Sequence, residues 1–165
     1  YRFSFAASWE DYDNDGDVDL YIANDFGPNQ LFRSEGEYFV DESSESGSQD
    51  WGFGMSATWA DYDRDGFMDL YVSSMFSGAG NQVVAQSDFN ANMPEETRTR
   101  YLKMVRGNTL LKNSGQGQFE DLTSPMAEGF GGWAWGAKFA DFNNDGWEDL
   151  YVANGYISQP DTDDL

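Results

Sequence analysis

Oxygen-bearing side chains recur at alternate positions around a glycine in three places along the chain. The first is Asp11-Tyr-Asp13-Asn-Asp15-Gly16-Asp17-Val-Asp19 and the second Asp61-Tyr-Asp63-Arg-Asp65-Gly66-Phe67-Met-Asp69. The third is Asp141-Phe-Asn143-Asn-Asp145-Gly146-Trp147-Glu-Asp149. Oxygens at loop positions 1, 3, 5 and 9, with glycine at 6, are what a hard cation needs from a short, sharply turning segment. Ca2+ takes about six to eight oxygens and mixes carboxylates with carbonyls and water. The spacing predicts side-chain ligands Asp11, Asp13, Asp15 and Asp19 in the first loop and Asp61, Asp63, Asp65 and Asp69 in the second. In the third loop it predicts Asp141, Asn143, Asp145 and Asp149. The position-7 carbonyls of Asp17, Phe67 and Trp147 complete the sets, and the Asp17 side chain, acidic in the first loop only, is expected to face solvent. One Ca2+ per loop is the expectation, weakest in the third, where Asn143 replaces a carboxylate.

Other chemistries fit less well. An EF-hand needs a bidentate Glu at position 12 and flanking helices, whereas Ile22, Val72 and Val152 stand there inside apolar runs. Mg2+ prefers a rigid octahedron rich in water. Asx-rich turns without a metal are the plain alternative, and three copies with matched spacing weigh against it. A net charge of −21 calls for counter-ions, and nine Lys and Arg are too few to neutralise a nucleic-acid backbone. With no His and no Cys the chain lacks the commonest general base, thiolate chemistry and disulfides. An aromatic content of 17% separates it from disordered acidic sequences. No apolar run approaches membrane-spanning length.

The elements that must hold these loops are extended. Upstream run Phe3-Ser-Phe5-Ala-Ala7-Ser-Trp9, Phe53-Gly-Met55-Ser-Ala57-Thr-Trp59 and Trp133-Ala-Trp135-Gly-Ala137-Lys-Phe139, alternating large and small with the period of a strand. Downstream run Leu20–Asn24, Leu70–Ser74 and Leu150–Asn154, also strand-like. Second hairpins follow: Gln30–Arg33 into Glu37–Asp41, and Asn108–Lys112 through a glycine-bearing turn into Gln118–Leu122. The first two loops begin 50 residues apart, at Asp11 and Asp61, the length of a four-stranded propeller blade. The fold expected is all-β, an arc of about three four-stranded propeller blades with one short helical insertion. Its units are 1–50, 51–128 with the insertion at 77–106, and an incomplete 129–165, together one partial domain. Within the insertion, Pro94 to Arg106 predicts a helix with Glu95 and Glu96 at its start and Lys103 and Arg106 near its end, matching the helix dipole. That helix is expected to dock on its own acidic sheets through Tyr101, Leu102 and Val105, or else to present a partner surface. Trp9 and Trp59 are expected between blades, while Trp51, Trp133, Trp135 and Trp147 are candidates for stacking on sugar rings, Trp51 and Trp147 the better of them.

Phe53-Gly54 before a loop and Asp-Leu-Tyr after each loop resemble the FG-GAP or VCBS repeats of integrin-α-type propellers. The match is closest to bacterial proteins of the ASPIC/UnbV class, relatives of cartilage acidic protein. Arg100-Tyr-Leu-Lys-Met-Val-Arg106-Gly-Asn108, Leu110, Asn113-Ser-Gly-Gln-Gly117, Asn154-Gly-Tyr-Ile157 and Pro160-Asp-Thr-Asp-Asp164 carry that likeness. The first repeat departs from it, with Phe3-Ser-Phe5 in place of the Phe-Gly pair. The resemblance implies an arc of a larger, seven-bladed propeller, completed by further blades or other chains, in an extracellular, cell-surface or periplasmic setting. It implies a non-catalytic, calcium-stabilised scaffold for recognition or adhesion, with an extracellular protein or glycan as partner. The alternative is a carbohydrate-active lyase or hydrolase with its site in the propeller channel.

Overall fold

In the computed structural model, which describes residues 2–86, 88–123 and 131–154, each stretch expected to be extended is a strand. The first unit contains β1 (Phe3–Glu10), β2 (Asp19–Phe26), β3 (Gln30–Ser34) and β4 (Phe39–Asp41). The second contains β5 (Gly54–Ala60), β6 (Asp69–Ser74), the helices α1 (Gly78–Val84) and α2 (Glu95–Val105), β7 (Thr109–Asn113) and β8 (Phe119–Asp121). β9 (Ala134–Ala140) and β10 (Asp149–Asn154) follow. β1 to β4 and β5 to β8 form two antiparallel meanders in chain order, and β9 pairs with β10 in a third sheet. The architecture is a partial all-β propeller. The boundary expected at 128/129 and the stretches Asn154–Ile157 (beyond Asn154) and Pro160–Asp164 lie outside the described residues.

The sheets repeat in detail. Trp9 pairs with Leu20, Trp59 with Leu70 and Phe139 with Leu150 across the strands that flank each acidic loop. A register irregularity falls at the far end of each of these pairs, at Ser4/Ala6, Gly54/Ser56 and Ala153/Asn154. Such bulges bend a strand and increase its twist, which suits sheets that must stack radially.

The core lies between sheets. Trp59 on β5 packs into Tyr12, Tyr21, Leu31, Leu111 and Phe119. Its ring meets Tyr21 edge-on at 6.2 Å and 86°, and one sheet further on Phe139 meets Tyr71 at 6.4 Å and 86°. The same joint is built twice, and truncating a ring so buried costs about 3–5 kcal/mol. Trp9 occupies the same repeat position but is 55% exposed, against the expectation of burial. The described residues place no sheet on its side, and Phe39 is its ring neighbour.

The insertion also differs from expectation, because it holds two helices rather than one. α1 is capped by Ser77, whose Oγ accepts from Gly80 N at 3.0 Å. α2 buries Val105, whereas Tyr101 and Leu102 are 40% and 39% exposed. Docking rests on charge: Arg106 reaches Asp121 at 2.8 Å and Asp50 at 3.7 Å, and Lys103 reaches Asp121 at 3.6 Å.

Candidate metal centre

The three acidic loops are closed by one register pair, Glu10 with Asp19, Ala60 with Asp69 and Ala140 with Asp149. Inside each, the position-1 aspartate holds the turn. Asp11 accepts from Asp15 N at 3.1 Å and Gly16 N at 3.0 Å, and Asp61 accepts from Asp65 N at 2.9 Å and Gly66 N at 3.0 Å. Asp141 accepts from Asp145 N at 3.1 Å and Gly146 N at 2.8 Å. Position 5 then accepts from position 7: Asp15 from Asp17 N, Asp65 from Phe67 N and Asp145 from Trp147 N, all at 2.8–3.0 Å. Two left-handed residues make this curl, position 4 (Asn14, Arg64 and Asn144, φ 59–62°) and position 6 (Gly16, Gly66 and Gly146, φ 85–94°). Glycine adopts that conformation freely and asparagine tolerates it, which explains two of the recurring residue types.

The curl brings one carboxylate oxygen from each of Asp11, Asp13 and Asp15 within 4.8 Å of one another, and does the same for Asp61, Asp63 and Asp65. Crowded charge is visible in the first set, where burial and then the neighbouring Asp15 and Asp11 raise the Asp13 pKa. In the second set Asp63 Oδ1 is shielded from water and accepts no hydrogen bond. Asp69 is 0% exposed, and its Oδ2 is likewise without a hydrogen-bond partner. Unsatisfied buried oxygens cost about 1–3 kcal/mol each, more when charged. A cation relieves that cost, so these residues fit one. In the third loop the Asn143 amide accepts from Asp145 N at 2.8 Å and donates to Asp145 Oδ2 at 2.9 Å.

Position 9 does not join the triads. Asp19 is 0% exposed and accepts from Ser34 N at 2.7 Å and Tyr12 N at 3.2 Å. Asp69 accepts from Asn113 N at 2.8 Å and Asp149 from Phe142 N at 3.2 Å. These aspartates tie the loop to its own start and to the neighbouring strand. Burial lifts the carboxyls of Asp19 and Asp69 to about 6 in spite of those backbone donors. Asp17 is exposed, the Phe67 ring lies against Gly115, and the Trp147 ring lies under Arg64.

Three features of the site carried no signal in the loop motif. Asn14 Nδ2 donates to Gly66 O at 2.9 Å, and the guanidinium of Arg64 sits 3.9 Å over Trp147, so position 4 of the first and second loops grips the loop that follows. Asn113 Nδ2 donates to Tyr12 O at 2.7 Å and Met68 O at 3.2 Å, bridging the first two loops. Lys112 Nζ contacts Asp63 and lies 3.1 Å from Asp65.

With two complete meanders hinged on matching acidic turns, the FG-GAP-like repeat pattern matches residues 11–72 and 101–152. The chain belongs to the FG-GAP-like repeat family. A comparison with curated proteins finds no match. In these FG-GAP-like repeats the Gly of the Phe-Gly pair has a visible duty. A Cβ on Gly54 would lie 2.9 Å from Asn29 Oδ1, 3.0 Å from Ala23 Cβ and 3.2 Å from Asn24 N, so glycine lets β5 approach β2. Of the sugar-stacking candidates in the repeats, Trp51 and Trp147 each have an arginine over one face, Arg100 at 4.5 Å and Arg64 at 3.9 Å. Trp135 is 46% exposed and stacks on Trp133 at 6.1 Å. Among the described residues no helix is long and apolar enough to cross a membrane.

Proposed function

We propose that this chain is part of a calcium-stabilised, non-catalytic β-propeller scaffold that works outside the cytoplasm and recognises a protein or a glycan. The observation that carries the metal half is the second triad, where Asp63 Oδ1 is buried and unpartnered beside Asp61 and Asp65. Asp11, Asp13 and Asp15 would hold one ion and Asp61, Asp63 and Asp65 another, with Asp141, Asn143 and Asp145 as a third, less charged set. All donors are oxygens, which suits calcium over zinc or copper. A bound ion supplies the positive charge that the clustered carboxylates lack and couples its binding free energy to the fold. Millimolar extracellular calcium suits sites of modest affinity, which supports the setting. The Trp133–Trp135 stack is the aromatic surface best placed for a sugar face.

Calorimetric titration of calcium into the chain, with thermal melting in parallel, tests this. Saturable binding is expected, with a stabilisation of about 2.7 kcal/mol at a hundredfold excess over Kd. An Asp63→Ala, Asp65→Ala double variant should lose one site. Absence of both heat and melting shift from a chain shown to be folded by circular dichroism would sink the metal half. A glycan array probed in calcium, with Trp135→Ala as control, addresses the recognition half; binding untouched by that substitution removes the stack from it.

A further inference from the structure

The first two loops carry the same three aspartates but stand in different surroundings. Asp19 Oδ1 accepts from Ser34 N and Asp69 Oδ1 from Asn113 N, so Ser34 matches Asn113 and Arg33 matches Lys112. Arg33 lies near Asp13 but makes its ion pairs outside the first triad, with Nη2 at 2.6 Å from Glu35 and 3.5 Å from Glu42. Lys112 does the reverse and places Nζ on Asp63 and within 3.1 Å of Asp65, two of the three residues of the second triad. The ammonium sits where a cation is called for, yet it leaves Asp63 Oδ1 without a partner. Its charge and reach are thus an incomplete match to the site. Two other groups face it: the Tyr62 ring, 6.0 Å from Nζ, and Glu120, directly across on β8. Cross-strand neighbours lie close enough for a lysine to change partner without backbone movement.

We propose that Lys112 is the resident counter-ion of the second acidic loop. Its ammonium neutralises Asp63 and Asp65 when no divalent ion is bound, yields their oxygens on binding, and moves to Glu120. This rests on the second triad being a cation site, and it goes further by making two triads of identical acidic composition unequal. Binding to the second loop displaces a charge-assisted pair, whereas binding to the first displaces none. The first site is therefore the tighter of the two. Counting triad carboxylates alone ranks them equal.

The test is calorimetric calcium titration of the full chain in four forms: unaltered, Lys112→Met, Lys112→Gln and Arg33→Met. Both Lys112 variants should tighten one site about ten-fold and leave the others unchanged. Arg33→Met should leave the second site unchanged. A second measurement uses the unaltered chain, so it does not depend on a variant folding. Reductive methylation of Lys112, followed by mass spectrometry with Lys103 and Lys138 as internal references, should be faster in calcium than in chelator. Equal calcium constants in the unaltered chain and the Lys112 variants, or a methylation rate indifferent to calcium, would overturn the role of Lys112 while leaving the cation sites standing. Failure of every form to bind calcium would overturn the cation sites themselves.

Discussion

Arg106 reaches from the end of α2 to two carboxylates, Asp121 at 2.8 Å and the fully buried Asp50 at 3.7 Å. Burial alone would raise both acids. At Asp50 it wins, and the carboxyl stays raised despite Arg106 and a hydrogen bond from Thr109. At Asp121 burial is outweighed by the Arg106 charge and hydrogen bond, and the pKa is lowered. A depressed carboxyl contributes stability above its unfolded value of about 3.9 and loses it as the pH falls through the folded value. A raised one works the other way, so removing the arginine penalises the charged form of Asp50 further. Arg106→Met is therefore expected to destabilise the chain by about 3 kcal/mol near neutral pH. The penalty should shrink as the pH falls, first through the raised carboxyl of Asp50 and then, below the ordinary carboxylate range, through the lowered one of Asp121. Denaturant unfolding of the two chains across pH at fixed calcium checks this, and a pH-independent difference would argue for lost packing instead. The sequence shows Arg106 as one of several bases on a helix; it does not show that Asp50 waits beneath it, because Asp50 belongs to no motif. Lys112 escaped for a similar reason. Alternation places it on one face of a strand, but which loop that face overlooks is settled by the tertiary packing.

At the scale of elements, alternation of large and small residues was sufficient for the strands, since a sheet with one face against a neighbour enforces period two. The acidic curl was equally legible, because glycine at position 6 and oxygen-bearing side chains at positions 1, 3 and 5 answer local backbone demands that no distant contact sets. α1 was not legible. Gly78 and Gly80 within a short stretch speak against a helix, and the segment is helical because its surroundings hold it so. Arg98 donates to Val84 O at 3.1 Å and Gln86 O at 2.9 Å, and Asn81 Nδ2 donates to Val105 O at 2.8 Å. Gly54 provides a test of how closely the strands must stack. Gly54→Ala is expected to cost about 1–3 kcal/mol, since the new methyl meets the Asn24 backbone and the Ala23 side chain. Gly136→Ala, where an added Cβ meets nothing within 4 Å, is the matched control and should lie near zero. Equal melting points for the two variants would mean that β5 and β2 can separate without penalty.

At the scale of the molecule, the joint between sheets is a ring on the first strand of one unit set edge-on to the tyrosine that follows the acidic loop of the unit before it. Trp59 on Tyr21 and Phe139 on Tyr71 show it complete, while Trp9 and Tyr151 are 55% and 61% exposed halves of the same contact. The repeat made this joint foreseeable for Trp59, and the same logic misplaced Trp9, whose fate depends on what stands beside the sheet. The long insertion leaves the frame untouched. Tyr21 pairs with Leu31 and Tyr71 with Leu110, so β2–β3 and β6–β7 share a register although one connection runs over residues 27–29 and the other over 75–108. The same clamp closes both, Asn29 Oδ1 accepting from Asn24 N at 2.7 Å and Asn108 Oδ1 from Ser74 N at 2.8 Å. Replacing Met75 to Gly107 by the Asp25-Phe26-Gly27-Pro28 turn, with Asp50→Asn to remove the carboxylate that Arg106 neutralises, should give a folded chain. It should keep its strand circular dichroism and its calcium sites, and loss of either would show that the helices shape the sheet. Seen as engineering, the turn between the second and third strands is a socket. An epitope or a whole guest domain whose ends meet at that blade's asparagine clamp can be grafted there, and the blade beneath will register only its two ends.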